Sequence, residues 1–185
     1  MENNIWMKRF SWALSFLIIF VTIISIRNNR QENPNFLDNQ LLEIEQYFSQ
    51  RDIKNISVSQ ANVAWHLDHT LKTINNVCMA LQDSNPEEYN STFNFRRILV
   101  HTLGNIPRGI AQSPPSVQPP EIILLDSLIS QLNEAREHVH QISNLEEHTY
   151  FAHPVFDHLD RDQSRRFLEV HTNHHLKIIK DILEE

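Results

Sequence analysis

The stretch 167–183, FLEVHTNHHLKIIKDIL, carries three histidines, His171, His174 and His175, at i, i+3 and i+4. On a helix of about 3.6 residues per turn, His171 and His175 stack one turn apart on one face. Imidazoles placed in this way converge beside the helix axis and can share one divalent metal ion. Leu168, Leu176, Ile179 and Leu183 follow on neighbouring angles, so the same helix has an apolar face to bury. HxxxH spacing alone marks solvated or carboxylate-paired histidines more often than a metal site. What would change those odds must come from another element.

Composition narrows what that element can be. The chain has 185 residues, enough for one ordinary domain plus an appendage, with 41% hydrophobic and 21% charged residues. It contains only two glycines, Gly104 and Gly109. That disfavours phosphate- and dinucleotide-binding loops, which need glycine for close backbone approach, and it disfavours turn-rich β architectures. Net charge is −7, and beyond Arg30 the basic residues cluster only as Arg96–Arg97 and Arg165–Arg166, so no nucleic-acid surface is expected. The single cysteine, Cys78, excludes an intramolecular disulfide and a Cys-rich zinc module. It is expected to pack as a small buried hydrophobe. The eleven histidines are the unusual count, and all lie between His66 and His175.

The elements that must position these groups read as helices. Residues 1–9 form a short tail, and residues 10–26, FSWALSFLIIFVTIISI, are free of charge. As a helix this run would be about 25 Å long, at the short end of what spans a bilayer. Lys8 and Arg9 precede it, Arg27 and Arg30 follow, and no small-x-small cleavage site closes it. It is therefore expected to be an uncleaved transmembrane signal-anchor, making this a single-pass membrane protein. The flanking charges balance and leave the side of the soluble domain open.

A polar linker, 27–35, leads into the domain at 36–185. There, 36–50 reads as a first helix, and Ser59 as the N-cap of a second over 60–81. That second helix carries WHLDH, with His66 and His69 at i and i+3. Residues 95–103 suggest a short third helix, 121–143 a strongly amphipathic one, and Asp160 with Gln163 a capping-box-like start to the last. Between the short helix and the amphipathic one lies GNIPRGIAQSPPSVQPP, residues 104–120, with both glycines and five prolines. It cannot be helical and is long for a loop. No strand is expected. The reading is all-α: a four-helix bundle with a short extra helix, preceded by an N-terminal transmembrane helix.

Four motifs then combine: AWHLDH (64–69), GNIPRGIAQSP (104–114), HPVF (153–156) and HTNHH (171–175). Together they resemble the DinB-like (DinB/YfiT) superfamily of four-helix-bundle metalloproteins. More narrowly, they resemble a branch with a WxxxHL-type helix, a GxxPRGxxxxP loop, an HPxF turn and a C-terminal HxxHH. The resemblance covers about residues 36–183. It implies a divalent metal, zinc or nickel as first candidates, held by one histidine of the second helix and two of the HxxxH. By motif position these are His66, His171 and His175, with His69 as the alternative first ligand. Asp157 stands where the branch has glycine after HPxF, a departure expected to alter the turn.

Other candidates read as structural. His174 is expected to be exposed or paired with a carboxylate, and His153 to line the cavity mouth or to hold its turn. His101, His138, His140, His148 and His158 read as surface or satisfied. Trp65 and Phe167 read as packing, and Asp68 and Glu169 point off the ligand face.

Three imidazoles leave a coordination position open, so the expected chemistry is activation of water or of a thiol at neutral pH. Characterised members of the superfamily include thiol-dependent S-transferases and a thiol-dependent isomerase. The resemblance thus implies a metal-dependent hydrolase or thiol S-transferase acting on a small molecule. The alternative is a non-catalytic, membrane-tethered bundle with a structural or vestigial metal site, the fold then serving homodimer formation.

Overall fold

A computed structural model of the chain describes residues 9, 11–22, 33–109 and 113–184. Two units are separated by their contacts, Met1–Glu32 and Asn33–Glu185. In the first, residues 11–22 are helical and exposed. Among the described residues no helix is long and apolar enough to cross a membrane. The described helical run is shorter than the 10–26 expected from sequence, and residues 10 and 23–26 of that expectation lie outside the described residues, as do 1–8 of the tail and 27–32 of the linker.

The second unit is mostly helical and compatible with an all-α bundle. Helix α1 is Asp38–Gln46, continued by a 3-10 turn Tyr47–Gln50. Helix α2 is Val63–Asp83, α3 is Phe95–Leu103, α4 is Leu125–Ile142 and α5 is Arg161–Leu183. Helix α2 packs along α4 and α5. The core between them is Leu67, Leu71, Ile74, Leu81, Leu128, Leu132, Leu168 and Ile179, none more than 1% exposed. Leu67, Leu71 and Ile74 on α2, and Leu128 and Leu132 on α4, recur at three- and four-residue intervals, the stripe a helix needs to bury one side.

Local chemistry sets the ends of α2 and α5. Helix α5 starts where expected, with the Asp160 side chain accepting from Gln163 N at 2.8 Å. Helix α2 does not start at Ser59. Its N-cap is Asn62, whose side chain accepts from Trp65 N, and Ser59 is released for another contact described below.

Two elements depart from the sequence reading. Tyr150–His153 (β1) and Asp157–Asp160 (β2) pair as an antiparallel hairpin, with Tyr150 opposite Asp160 and His153 opposite Asp157. With four residues each and no clear alternation, these strands carry too little periodicity to be seen in sequence. The turn is closed by His153, whose Nδ1 accepts from Val155 N at 3.0 Å and Phe156 N at 3.1 Å. Asp157, where glycine was the family expectation, takes a left-handed backbone with φ 65°. Its carboxylate accepts from Thr92 N and Thr92 Oγ1 at 2.8 and 2.6 Å. These bonds hold the strained position from outside and pull the carboxyl down to about 2.

Helix α3 lies where the sequence placed it, and tertiary contacts set its mounting. Its inward face is Arg97, Val100 and His101, while Phe95, Ile98, Leu99 and Leu103 face outward and are exposed. Arg97 anchors the helix by donating to Ser91 Oγ, Thr92 O and the carbonyls of Phe156 and His158. The helix ends at Gly104, in the left-handed conformation at φ 62°, where an added Cβ would lie 3.0 Å from Arg166 Nη2. Because the outward stripe touches little, Leu99→Gln is expected to change unfolding free energy by less than about 0.5 kcal/mol. Urea denaturation measures this, and a loss of about 2 kcal/mol or more would show that the face is covered in solution.

Candidate metal centre

The rings of His66 and His69 on α2 meet those of His171 and His175 on α5, with His174 beside His175 on the same helix. Both α2 histidines lie on a stretch whose carbonyls are also used. Thr70 Oγ1 donates to His66 O at 2.7 Å and Thr73 Oγ1 to His69 O at 2.8 Å.

His69, His171 and His175 come together. One ligand atom from each lies within 4.8 Å of the others. Their rings form a triangle, with centroids 5.1 Å apart for His69–His171, 4.7 Å for His69–His175 and 4.6 Å for His171–His175. Trp65 backs the cluster, stacked on His69 at 5.0 Å and edge-on to His66 at 5.2 Å. His69 Nδ1 meets the Val117 carbonyl at 2.9 Å. A carbonyl can only accept, so His69 carries its proton on Nδ1 and leaves Nε2 with a free lone pair.

Electrostatics favour the unprotonated rings. Burial pushes the His171 and His175 imidazoles well below their usual range, and the neighbouring histidines add to this. His69 is lowered by burial too, an effect that the Val117 hydrogen bond opposes. Three neutral imidazoles are the form in which histidine binds a divalent ion. Nδ1 of His171 is buried without a hydrogen-bond partner, a desolvated polar atom of the kind a metal site leaves when only the protein is counted. Donor type and number suit zinc or nickel.

No protein-family model matches this chain, and no curated protein or solved structure shows significant similarity to it. The site therefore has to be read from its own residues.

His66, the sequence-favoured first ligand, is buried beside the triangle rather than within it. Its Nδ1 lies 3.0 Å from His175 Nδ1 and its Nε2 lies 3.0 Å from Ser59 Oγ. Burial, then the nearby His69, His174 and Arg108, lowers its pKa to about 4. The two α2 histidines are three residues apart and both face α5. Which one closes the triangle depends on how α2 is rotated and on Val117, neither of which a motif records. His174 is half-buried with the Ile106 backbone as its hydrogen-bond partner, where it was expected to be exposed or paired with a carboxylate.

The remaining histidines sort unevenly. His138 is satisfied by Asn75 Oδ1 at 3.1 Å, and His148 is exposed and stacked on Tyr89. His101, expected to be at the surface or satisfied, is buried with Nε2 unpartnered, and the half-buried His158 has a buried, unpartnered Nδ1. Cys78 is fully buried and free, its thiol pushed up to about 12 by burial.

Among the described residues, the two carboxylates flanking the histidines in sequence, Asp68 and Glu169, are both engaged. Asp68 is buried and paired with Lys72 at 2.6 Å and Gln131 Nε2 at 2.9 Å, and Glu169 is paired with Arg166 at 2.6 Å. An open cleft of about 500 Å³, walled by Asp52, Asn62, Pro119, Pro120, Glu121 and Ile122, shares Trp65 with the cluster but none of the three histidines.

Sequence reasoning missed two contributors. Val117 acts through its backbone carbonyl, which no side-chain pattern can report. Ser59 had been assigned to a cap. The unusual length and proline content of 104–120 was the one available signal. Its segment Pro115–Val117 is a 3-10 turn fastened to α2 by Asn76 Nδ2 on Ser116 O and Lys72 Nζ on Gln118 O.

Proposed function

We propose that this chain is a DinB-like metal-binding bundle, holding one divalent ion through His69, His171 and His175 and using it to act on a small molecule. The observation that carries this is the triangle of three imidazoles, His69 and His175 buried and His171 half-buried, each driven toward the neutral form. Bound there, a divalent ion would supply a Lewis acid that lowers the pKa of water or of a thiol, giving a nucleophile at neutral pH. The chain's own part is to orient the ligands, through Val117 for His69, and to wall the site with Trp65. Hydrolysis and thiol S-transfer both fit an open three-histidine set. Support for a membrane tether comes from the uncharged run 10–26.

A second reading has its own observation. His66 Nδ1 at 3.0 Å from His175 Nδ1 is close enough to make His66 a fourth ligand, which would close the site and make it structural.

Elemental analysis of the purified full chain, after reconstitution with zinc or nickel, tests the main reading. About one ion per chain, lost on His171→Ala, is the expected result. No bound metal after reconstitution would overturn it.

A further inference from the structure

His66 is too close to the triangle to be neutral scenery. Both of its ring nitrogens have partners: Ser59 Oγ at Nε2 and His175 Nδ1 at Nδ1, each at 3.0 Å. Ser59 Oγ in turn accepts from Ala61 N at 3.1 Å, which ties it to the turn entering α2. Two imidazole nitrogens at hydrogen-bond distance must share one proton, because two lone pairs or two N–H groups would repel. Only two arrangements exist. Either His66 donates to His175, which places the His175 proton on Nε2, or His175 donates to His66, which frees the His175 Nε2 lone pair. Ser59 does not choose between them, since a hydroxyl can donate to His66 Nε2 or accept from it.

We propose that His66 is a positioning residue. It accepts the Nδ1 proton of His175 and so presents His175 Nε2 to the metal, as the Val117 carbonyl does for His69. The two ligands are then held by the same device, an acceptor behind Nδ1. The carbonyl can only accept and so fixes one tautomer, whereas the imidazole can accept or donate, so His175 would present Nε2 only in the arrangement where His66 accepts. With His66 accepting at Nδ1, its own proton sits on Nε2, and Ser59 Oγ, keeping its hydroxyl hydrogen, accepts there. This inference rests on the proposed metal site, and it excludes His66 as a ligand.

The test uses the full chain loaded with zinc, with His66→Leu and His66→Asn beside wild type. Zinc affinity is measured by chelator competition, the number of imidazoles on zinc by X-ray absorption, and the His175 tautomer by nitrogen-15 NMR. Expected are three imidazoles in wild type and in His66→Leu, with His175 protonated at Nδ1 in wild type. His66→Leu should weaken zinc binding about 10–100-fold, the usual cost of removing the partner behind a ligand. His66→Asn, whose side-chain oxygen can accept the same proton, should restore most of that loss. A wild-type count that drops by one imidazole in His66→Leu would make His66 a ligand and overturn the proposal. Unchanged affinity in His66→Leu, or a wild-type His175 unprotonated at Nδ1, would also overturn it while leaving the metal site standing. Wild type without zinc would instead remove the metal site on which it rests.

Discussion

Alanine in place of His69, His171 or His175 is expected to weaken zinc binding by about 100-fold or more. Each substitution removes one of three first donors, whereas changing a residue behind a ligand costs about 10–100-fold. His174→Ala should stay within a few-fold of wild type, because His174 spends its hydrogen bond on the Ile106 carbonyl. His174 and His175 are adjacent on α5, so the pair controls for a change in helix propensity. Chelator competition on all four variants, with helical content followed by circular dichroism, measures the effect. Tight binding in His69→Ala together with loss in His66→Ala would return the first ligand to His66 and dissolve the triangle. Equal loss in His174→Ala and none in His171→Ala would displace the site along α5.

The second large effect is on stability, and its direction follows from burial. His101 has an imidazole driven down to about 4, by burial first and then by Arg166, Arg97 and His153 around it. In the unfolded chain the same ring titrates near its ordinary value of 6.5. Between those two values the unfolded state holds a proton that the folded state lacks, so stability falls as pH falls from 6.5 toward 4 and levels off below. Above pH 6.5 both states are neutral and the group contributes no slope. From pH 7.5 to pH 5 the loss attributable to His101 is about 2 kcal/mol. His101→Leu removes the titration together with the unpartnered Nε2, and it should flatten the pH dependence by that amount. Urea denaturation of metal-free protein at the two pH values measures the difference. An unchanged pH dependence in the variant would show that His101 is already charged or solvated in the folded state.

Residue periodicity made the bundle legible. Helix α3 was placed at 95–103 as observed, and α5 was placed by its cap as well as its stripe. Both signals are local, because a cap is a contact between residues three apart and a stripe repeats every turn. The hairpin was not legible. It consists of two four-residue strands held by a His153 turn and by Asp157 bonds to Thr92, sixty-five residues away. The outward mounting of α3 was hidden for a related reason. An apolar stripe says that a face wants burial, yet Arg97 finds four acceptors on the inner side and decides which face turns in.

For the site, the sequence by itself determined the chemistry on offer: two histidines one turn apart on the last helix, and a pair on the second. Such a set suits a neutral-imidazole metal site in a helical domain. Only the tertiary structure decided which member of the α2 pair joins His171 and His175. His66 and His69 differ by about 60° around the helix axis, well within the spread of one face. The choice therefore falls to contacts from far along the chain, the Val117 carbonyl behind His69 and the His175 ring against His66. A carbonyl oxygen has no residue type and a helix rotation has no motif. That is why the cluster of His69, His171 and His175 emerges from the packing of α2 on α5 and of the proline-rich loop on α2, and not from the spacing of histidines alone.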